Sequence, residues 1–522
     1  MPVCTDDNRE RSAQIVKQLG ETILPNGKSL RGQLTIEGIS LWDVMTPSMA
    51  MYYLPSSMSL KPGTRSLLLK VRPHVTLIKH KCINSITKAR NILFNHHQKL
   101  QSSAYMFMGF NSYMYKDVLA PLAKSLSVAY GQHSIVLTDG LLPIGKSPNS
   151  ENTQFQSTWQ YWDSELRREA RIFKDKTDIS ISELDKLLKL EGFSFDSEHS
   201  QNIIEHAFNW LLNFDLPLLV NQVVLARRAI KICKPILLIS SDVADIRSRV
   251  FTLAAKQENI PALELQYGSC EENSYEWQFL LAEHIAVWGK QSWENLLKQG
   301  VLEHQMTVTG TTRNDSLTNI DPLVVENTKS KLCITNDSLV VLFASSYQQK
   351  EYSSFSHPDL ISSMKKAIFN VANKAQGLTL IVKPHPLENV DETRSFLTSE
   401  ENIVFTPSTT DILDLIKACD VFIGLGTTAT IDAMIAEKLI ICPVFGDWIW
   451  SDWLVQSEAT LVPRSEKEIE EIFISILEGS LPEIKSELQS NQELYIENMV
   501  YKPDGFSSNR IAQLAMKLAQ TH

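Results

Sequence analysis

The residues best suited to chemistry stand at the ends of apolar runs. LTLIVK (378–383) stops abruptly at Pro384-His385-Pro386. A proline-flanked turn there holds the Lys383 ammonium and the His385 imidazole at a strand end, where both can donate hydrogen bonds to a phosphate. A second run, DVFIG (420–424), is broken by Gly424 and Gly426, and Thr427, Thr428 and Thr430 follow where the next helix begins. Threonine at that place caps open N–H groups, and the positive end of a helix favours an anion. Ser345 and Ser346 close a third run, SLVVLFASS (338–346), at the kind of strand end where phosphates are met. The first two readings have plainer alternatives: a rigid turn with a solvent-facing histidine, and a simple helix cap.

These positions need elements to hold them, and the chain supplies an alternation of strands and helices. AYMFMGF (104–110) is a strand ending at Gly109, 111–131 has helical spacing, and HSIVLTD (133–139) is the next strand, together one βαβ unit. Residues 140–160 are rich in Pro, Gly, Ser and Asn and read as a loop, and 155–232 reads as charged and helical. The rhythm resumes with strands at 235–241, 261–266, 284–289 and 305–310, the second of them running into Gln266-Tyr267-Gly268. It restarts with strands at 338–346, 378–383, 402–405, 420–424, 439–444 and 459–463, and helices at about 358–375, 408–417, 466–479 and 505–520. Strands alternating with helices predict parallel sheets covered on both faces. The expected architecture is α/β, with two doubly wound, Rossmann-like lobes facing a cleft. The divisions are an N-terminal extension (1–90), a first lobe (91–317) with a helical insertion at about 155–232, a linker (318–337), a second lobe (338–480), and a C-terminal helical segment (481–522) crossing back to the first lobe. In the extension, Trp42, Tyr52 and Tyr53 read as core before they read as a site.

Composition bounds the rest. At 522 residues, two or three domains are expected. A formal charge of −10 argues against a general nucleic-acid binder. Seven cysteines, scattered and without metal-type spacing, predict free thiols in a reducing cytoplasm. The polar N-terminal residues do not read as a signal peptide, and no apolar run is long enough for a spanning helix. Charge is uneven: no Asp or Glu lies between Val44 and Tyr115, while Lys61, Arg65, Lys70, Arg72, Lys79, Lys81, Lys88, Arg90, Lys99 and Lys116 fall in or beside that stretch. Such a tract is either a solvated face or a surface for anionic lipid at the inner face of a plasma membrane.

Four segments in order resemble one superfamily. VTGTTRNDSL (308–317), IVKPHPLE (381–388), CDVFIGLGTTATIDAMIAEKLIICP (419–443) and DGFSSNRIAQL (504–514) are similar to blocks of GT-B glycosyltransferases, in particular capsule polysaccharide, CDP-glycerol glycerophosphotransferase and bacterial sialyl- and Kdo-transferase-like proteins. The resemblance covers about 280–520. It implies a transferase that moves a sugar or polyol phosphate from a CMP-, CDP- or UDP-linked donor to a surface polysaccharide or lipid-linked acceptor, with no cofactor or metal. The implied donor site comprises Arg313, Ser345, Ser346, Lys383, His385, Gly426, Thr427, Thr428 and Asp432. Asp432 would accept from ribose hydroxyls, and Arg313 would face the leaving nucleotide or serve as a structural ion pair. The implied acceptor side comprises Gly109, Gln266, Tyr267 and Gly268. Many relatives carry Gln-His-Gly where this chain has Gln266-Tyr267-Gly268, so the usual histidine base is missing, and a tyrosine with a pKa near 10 is a poor substitute. Glu271 and Asp242 are the candidate bases, with Glu272 and Asp139 behind them. A UDP-GlcNAc 2-epimerase-like enzyme and a catalytically inactive GT-B scaffold are the alternatives.

Overall fold

The computed structural model describes residues 6–52, 82, 104–139, 152–190, 200, 204, 216–270, 275–335, 337–346, 358–385, 388–397, 401–425, 427–446 and 452–521. Of the basic residues named above, Lys116 lies within this set and those from Lys61 to Lys99 lie outside it, as do Glu271, Glu272, Gly426 and Tyr53. Two compact units make up the chain: 1–287, 292–312 and 508–522 form the first, and 288–291 with 313–507 the second.

The first unit is built on seven parallel strands: β1 (Tyr105–Met108), β2 (Ser134–Thr138), β3 (Thr153–Ser157), β4 (Leu237–Ser240), β5 (Ala262–Leu265), β6 (His284–Val287) and β7 (Met306–Val308). Their order across the sheet is β3-β2-β1-β4-β5-β6-β7. Alternate residues serve opposite faces. Tyr105 and Phe107 meet Leu119, Leu122, Leu126 and the C-terminal helix residues Ile511, Ala512 and Ala515. Met106 and Met108 meet a larger core that includes Val223, Leu225, Val250 and Phe251. The N-terminal residues join this second core, where Trp42 is 2% exposed, as an aromatic core residue should be. Arg249, on the helix Ile246–Gln257, fixes that attachment by donating to the carbonyls of Asp43, Val243 and Phe279.

Strand β3 lies where the composition reads as a loop. Its sequence, TQFQS, has one large apolar residue, and as an edge strand it pairs only with β2. Hydrogen bonding to β2, from Ser134 opposite Thr153 to Thr138 opposite Ser157, makes it a strand, and hydrophobic pattern contributes little.

The second unit has five parallel strands: β8 (Leu339–Ala344), β9 (Leu378–Lys383), β10 (Ile403–Phe405), β11 (Val421–Gly424) and β12 (Leu439–Ile441), ordered β10-β9-β8-β11-β12. Val341, Phe343 and Ile423 pack against the helices Pro358–Lys374 and Glu466–Ser475, and Leu342 and Phe422 pack on the opposite side. Two local expectations change. The polar stretch expected as a linker contains a helix, Pro322–Lys331, started by Pro322 and by Asp321 accepting from the Leu323 N–H at 2.9 Å. The expected strand at 459–463 makes one parallel bridge, Leu461 to Ile441, and no strand.

Each sheet reverses its strand order once, at β1/β4 in the first unit and at β8/β11 in the second. Ligands in such sheets lie outside the carboxyl ends of the strands at that reversal. Among the described residues, no helix is long and apolar enough to cross a membrane.

Candidate functional site

In the second unit the register sets the site. Ala344 pairs with Lys383 on one side and with Gly424 on the other, so three strands end at one level. Ser345 and Ser346, Pro384 and His385, and Leu425 therefore leave the sheet side by side. Gly424 is needed for this fit. A Cβ there would stand 2.7 Å from Thr430 Oγ1 and 2.9 Å from the Phe422 ring. The helix Ala429–Ile435 can approach the strand end only because that atom is missing.

His385 is exposed, and its imidazole titrates below its ordinary value of 6.5. Protein crowding around the ring is the main cause; the Glu388 carboxylate opposes it, and Lys383 and Lys365 reinforce it. Lys383 is half-buried, and its ammonium donates to the carbonyls of Ser408 (2.9 Å) and Pro384 (3.3 Å). It ties the turn after β9 to the loop after β10. Burial lowers its pKa, with Asp411 and Glu388 opposing. Thr427 Oγ1 accepts from the Ala429 N–H at 3.3 Å. Thr428 holds the N-cap position in helical conformation, and its side chain makes no capping bond, so the expected threonine cap falls to Thr427.

Asp432 and Arg313 are brought together. The guanidinium Nε and Nη2 each lie 2.9 Å from Asp432 Oδ2, and the Asp432 side chain is 3% exposed. Asp432 is thus no surface acid. The pair pins the first turn of its helix to the turn that carries Arg313.

Glu388 and Lys365, to which the sequence alone assigns no role, complete this unit's strand ends. Glu388 accepts from Ser345 Oγ at 2.7 Å and from the His385 N–H at 3.0 Å, and Lys365 and Thr393 also donate to it. Ser345 is therefore engaged inside the lobe. Burial alone would raise the Glu388 carboxyl, but the Lys365 ammonium and the hydroxyls of Thr393 and Ser345 outweigh it and hold the pKa below 4.5.

In the first unit, Phe107 pairs with Ile239, which brings Gly109 and Asp242 out beside one another at the order reversal. A Cβ on Gly109 would come within 2.8 Å of Val136 Cγ1, so the chain turns tightly here. Asp242 accepts from the Ala244 N–H at 3.2 Å. Burial, aided by the charge of Asp245, raises its carboxyl to about 6, against the pull of the Ala244 and Asp245 N–H groups and Arg247. Asp245 caps the helix Ile246–Gln257. Arg247 joins Asp245 to Asp139 and lies 4.9 Å over the Phe110 ring. Asp139 is thereby engaged, and Asp242 is the strand-end carboxyl with a pKa moved toward neutrality.

Behind it, Glu264 on β5 is fully buried, accepts from Ser240 Oγ, and has no hydrogen-bond partner at Oε1 among the described residues. Burial raises it to about 8, so it is a neutral acid at pH 7. Gln266 donates to Gly268 O and Ser292 Oγ, both at 2.9 Å, which makes it a brace for the loop. Tyr267 packs on Trp277, and burial lifts its phenol further above 10, so it is a still poorer base than its type suggests. No group of three or more potential metal ligands occurs among the described residues.

Comparison with known proteins extends this picture. Residues 254–424 match the model of a family described as CDP-Glycerol:Poly(glycerophosphate) glycerophosphotransferase. No curated protein matches the sequence. Among solved structures, the wall teichoic acid polymerase TagF is similar with a TM-score of 0.52 at 11% identity, covering 86% of this chain and 98% of that one. A Listeria monocytogenes protein described as a UDP-N-acetylglucosamine 2-epimerase is similar with a TM-score of 0.51 at 14% identity, covering 81% of this chain and 98% of that one. The fold is that of GT-B glycosyltransferase-like proteins.

Proposed function

We propose that this chain transfers a polyol phosphate, glycerol phosphate first among them, from a CDP-linked donor to a surface polymer or its lipid-linked precursor. The observation that carries the reading is the family match over 254–424, which spans the level strand ends of Ser345–Ser346 and Lys383–His385. In this scheme the second lobe holds the donor. The His385 imidazole, Ser346 and the Thr427–Thr428 segment meet its phosphates, and Lys383 and the Arg313–Asp432 pair hold the loops that present them. An acceptor hydroxyl attacks the phosphorus that bears glycerol, a new phosphate ester bond forms, and the bond to CMP breaks. The hydroxyl proton passes to Asp242 as general base in place of the absent histidine. Electrostatic stabilisation of the departing phosphate by positioned donors supplies the rest.

A thermal-shift panel of CMP, CDP, UDP and CDP-glycerol, followed by CMP release from CDP-glycerol with a lipid-linked acceptor, tests the reading. At a hundredfold excess over the dissociation constant, a bound nucleotide stabilises the protein by about 2.7 kcal/mol. The expected result is a shift with CDP and CDP-glycerol that is lost in His385→Ala. Isomerisation of UDP-GlcNAc without an acceptor would instead identify an epimerase, and binding without turnover on any acceptor a scaffold. The basic tract 61–116 supports peripheral association with anionic membrane, at roughly 1 kcal/mol per basic group near the surface. Charge reversal at Lys79, Lys81 and Lys88 is expected to reduce sedimentation with phosphatidylserine vesicles at low salt.

A further inference from the structure

The helix Pro358–Lys374 buries Ile361, Met364, Ile368, Phe369 and Ala372. Helical spacing places position 365 on that same face, one turn after Ile361. A lysine stands there, with a side chain only 8% exposed. It reaches Glu388, whose side chain is 4% exposed. A charged pair this deep contributes little to stability that well-packed apolar residues of similar volume would not supply. The arrangement calls for another reason.

That reason lies in what else the carboxylate holds. Glu388 Oε1 receives Ser345 Oγ from the end of β8, Thr393 Oγ1 from the helix Val390–Arg394, and the Lys365 ammonium. Glu388 Oε2 receives the backbone N–H of His385 at 3.0 Å, and the Glu388 N–H returns a bond to His385 O at 2.9 Å. One residue thus holds both the N–H and the carbonyl of His385, and its side chain locks them to the neighbouring strand end and to two helices.

We propose that Lys365 and Glu388 are positioning residues that fix where the His385 imidazole meets the donor phosphate. The proposal rests on the donor-lobe reading above. Lys365 supplies the countercharge that keeps Glu388 ionised, and an ionised carboxylate can accept on both oxygens at once, which the closed turn requires.

The double variant Lys365→Met, Glu388→Gln tests this, because it removes both charges together and leaves neither one buried alone. CDP binding is measured by calorimetry, melting by scanning calorimetry, and the His385 titration by NMR of histidine-labelled protein. Glu388 raises the ring's pKa by more than Lys365 lowers it, so losing both charges alone would lower it further, and a rise can come only from greater exposure of the ring. The expected result is a melting temperature close to wild type, CDP binding weakened at least tenfold, and a His385 pKa that rises toward 6.5. Unchanged binding and an unchanged titration overturn the proposal and leave the pair a packing feature. If wild type itself binds no CDP, the donor reading fails, and the titration still decides whether the pair positions the histidine. Should the double variant not fold, Thr393→Val removes one donor from the carboxylate; a smaller rise in the His385 pKa supports the proposal, and no change overturns it.

Discussion

In the proposed transfer Asp242 is the general base, and burial raises its carboxyl to about 6, so the proposal fixes how the rate should respond to acid. A general base must be deprotonated to act, so kcat/KM for CDP-glycerol is expected to climb with pH and level off above an apparent pKa of about 6. Asp242→Asn is expected to lower the rate by roughly 10²–10⁴-fold and to remove that limb from the profile. A rate profile without a limb near pH 6 would point to another base. The Arg313–Asp432 pair makes a different prediction. Arg313→Met takes the guanidinium away from this buried carboxylate, and breaking a buried ion pair in that way costs about 3–5 kcal/mol, which denaturant unfolding of the second unit would register. Asp432→Asn with Arg313→Met is expected to recover most of that loss, because neither charge of the pair then remains.

Among strands and helices, Gly424 and Glu264 carry the sharpest consequences. Gly424→Ala places a methyl group 2.7 Å from Thr430 Oγ1, which forces the helix Ala429–Ile435 away from β11. Overpacking of this kind costs about 1–3 kcal/mol, and weaker nucleotide binding should accompany it. Glu264 ionises near 4.5 in the unfolded chain and near 8 in the folded one, so the folded state binds the extra proton across that interval. Its contribution is fully present below the lower value and is lost as pH rises through the upper one. Glu264→Gln is therefore expected to flatten the fall in melting temperature between pH 5 and pH 8. Most strands were legible because their runs are apolar and end at Gly, Pro or Ser. Strand β3 was not, since pairing rather than hydrophobicity makes it a strand, and the helix Pro322–Lys331 hid within polar residues. The His385 turn was legible as Pro-His-Pro, but its support was not. Lys365 sits in an amphipathic helix, and nothing local marks it as the partner of a carboxylate 23 residues away.

For the chain as a whole, the sequence pattern predicts two sheets, and the fold has two large ones, each reversing its strand order once. What sequence could not supply was the depth of the side chains at the strand ends. Asp242 and Glu264 look alike as letters; burial leaves one near pH 6 and the other neutral at pH 7. The first unit, moreover, is assembled from segments far apart in the chain. Its last helix, Ser507–Gln520, lays Ile511, Ala512 and Ala515 against the sheet core, and Ser125 donates to Asn509 at 2.7 Å. During synthesis that core lacks the last of its covering helices while residues 313–507 are made, roughly ten to forty seconds at ordinary elongation rates. A ribosome stalled before residue 508 is therefore expected to display the apolar patch that Ile511, Ala512 and Ala515 cover in the finished protein, a patch of the kind chaperones bind.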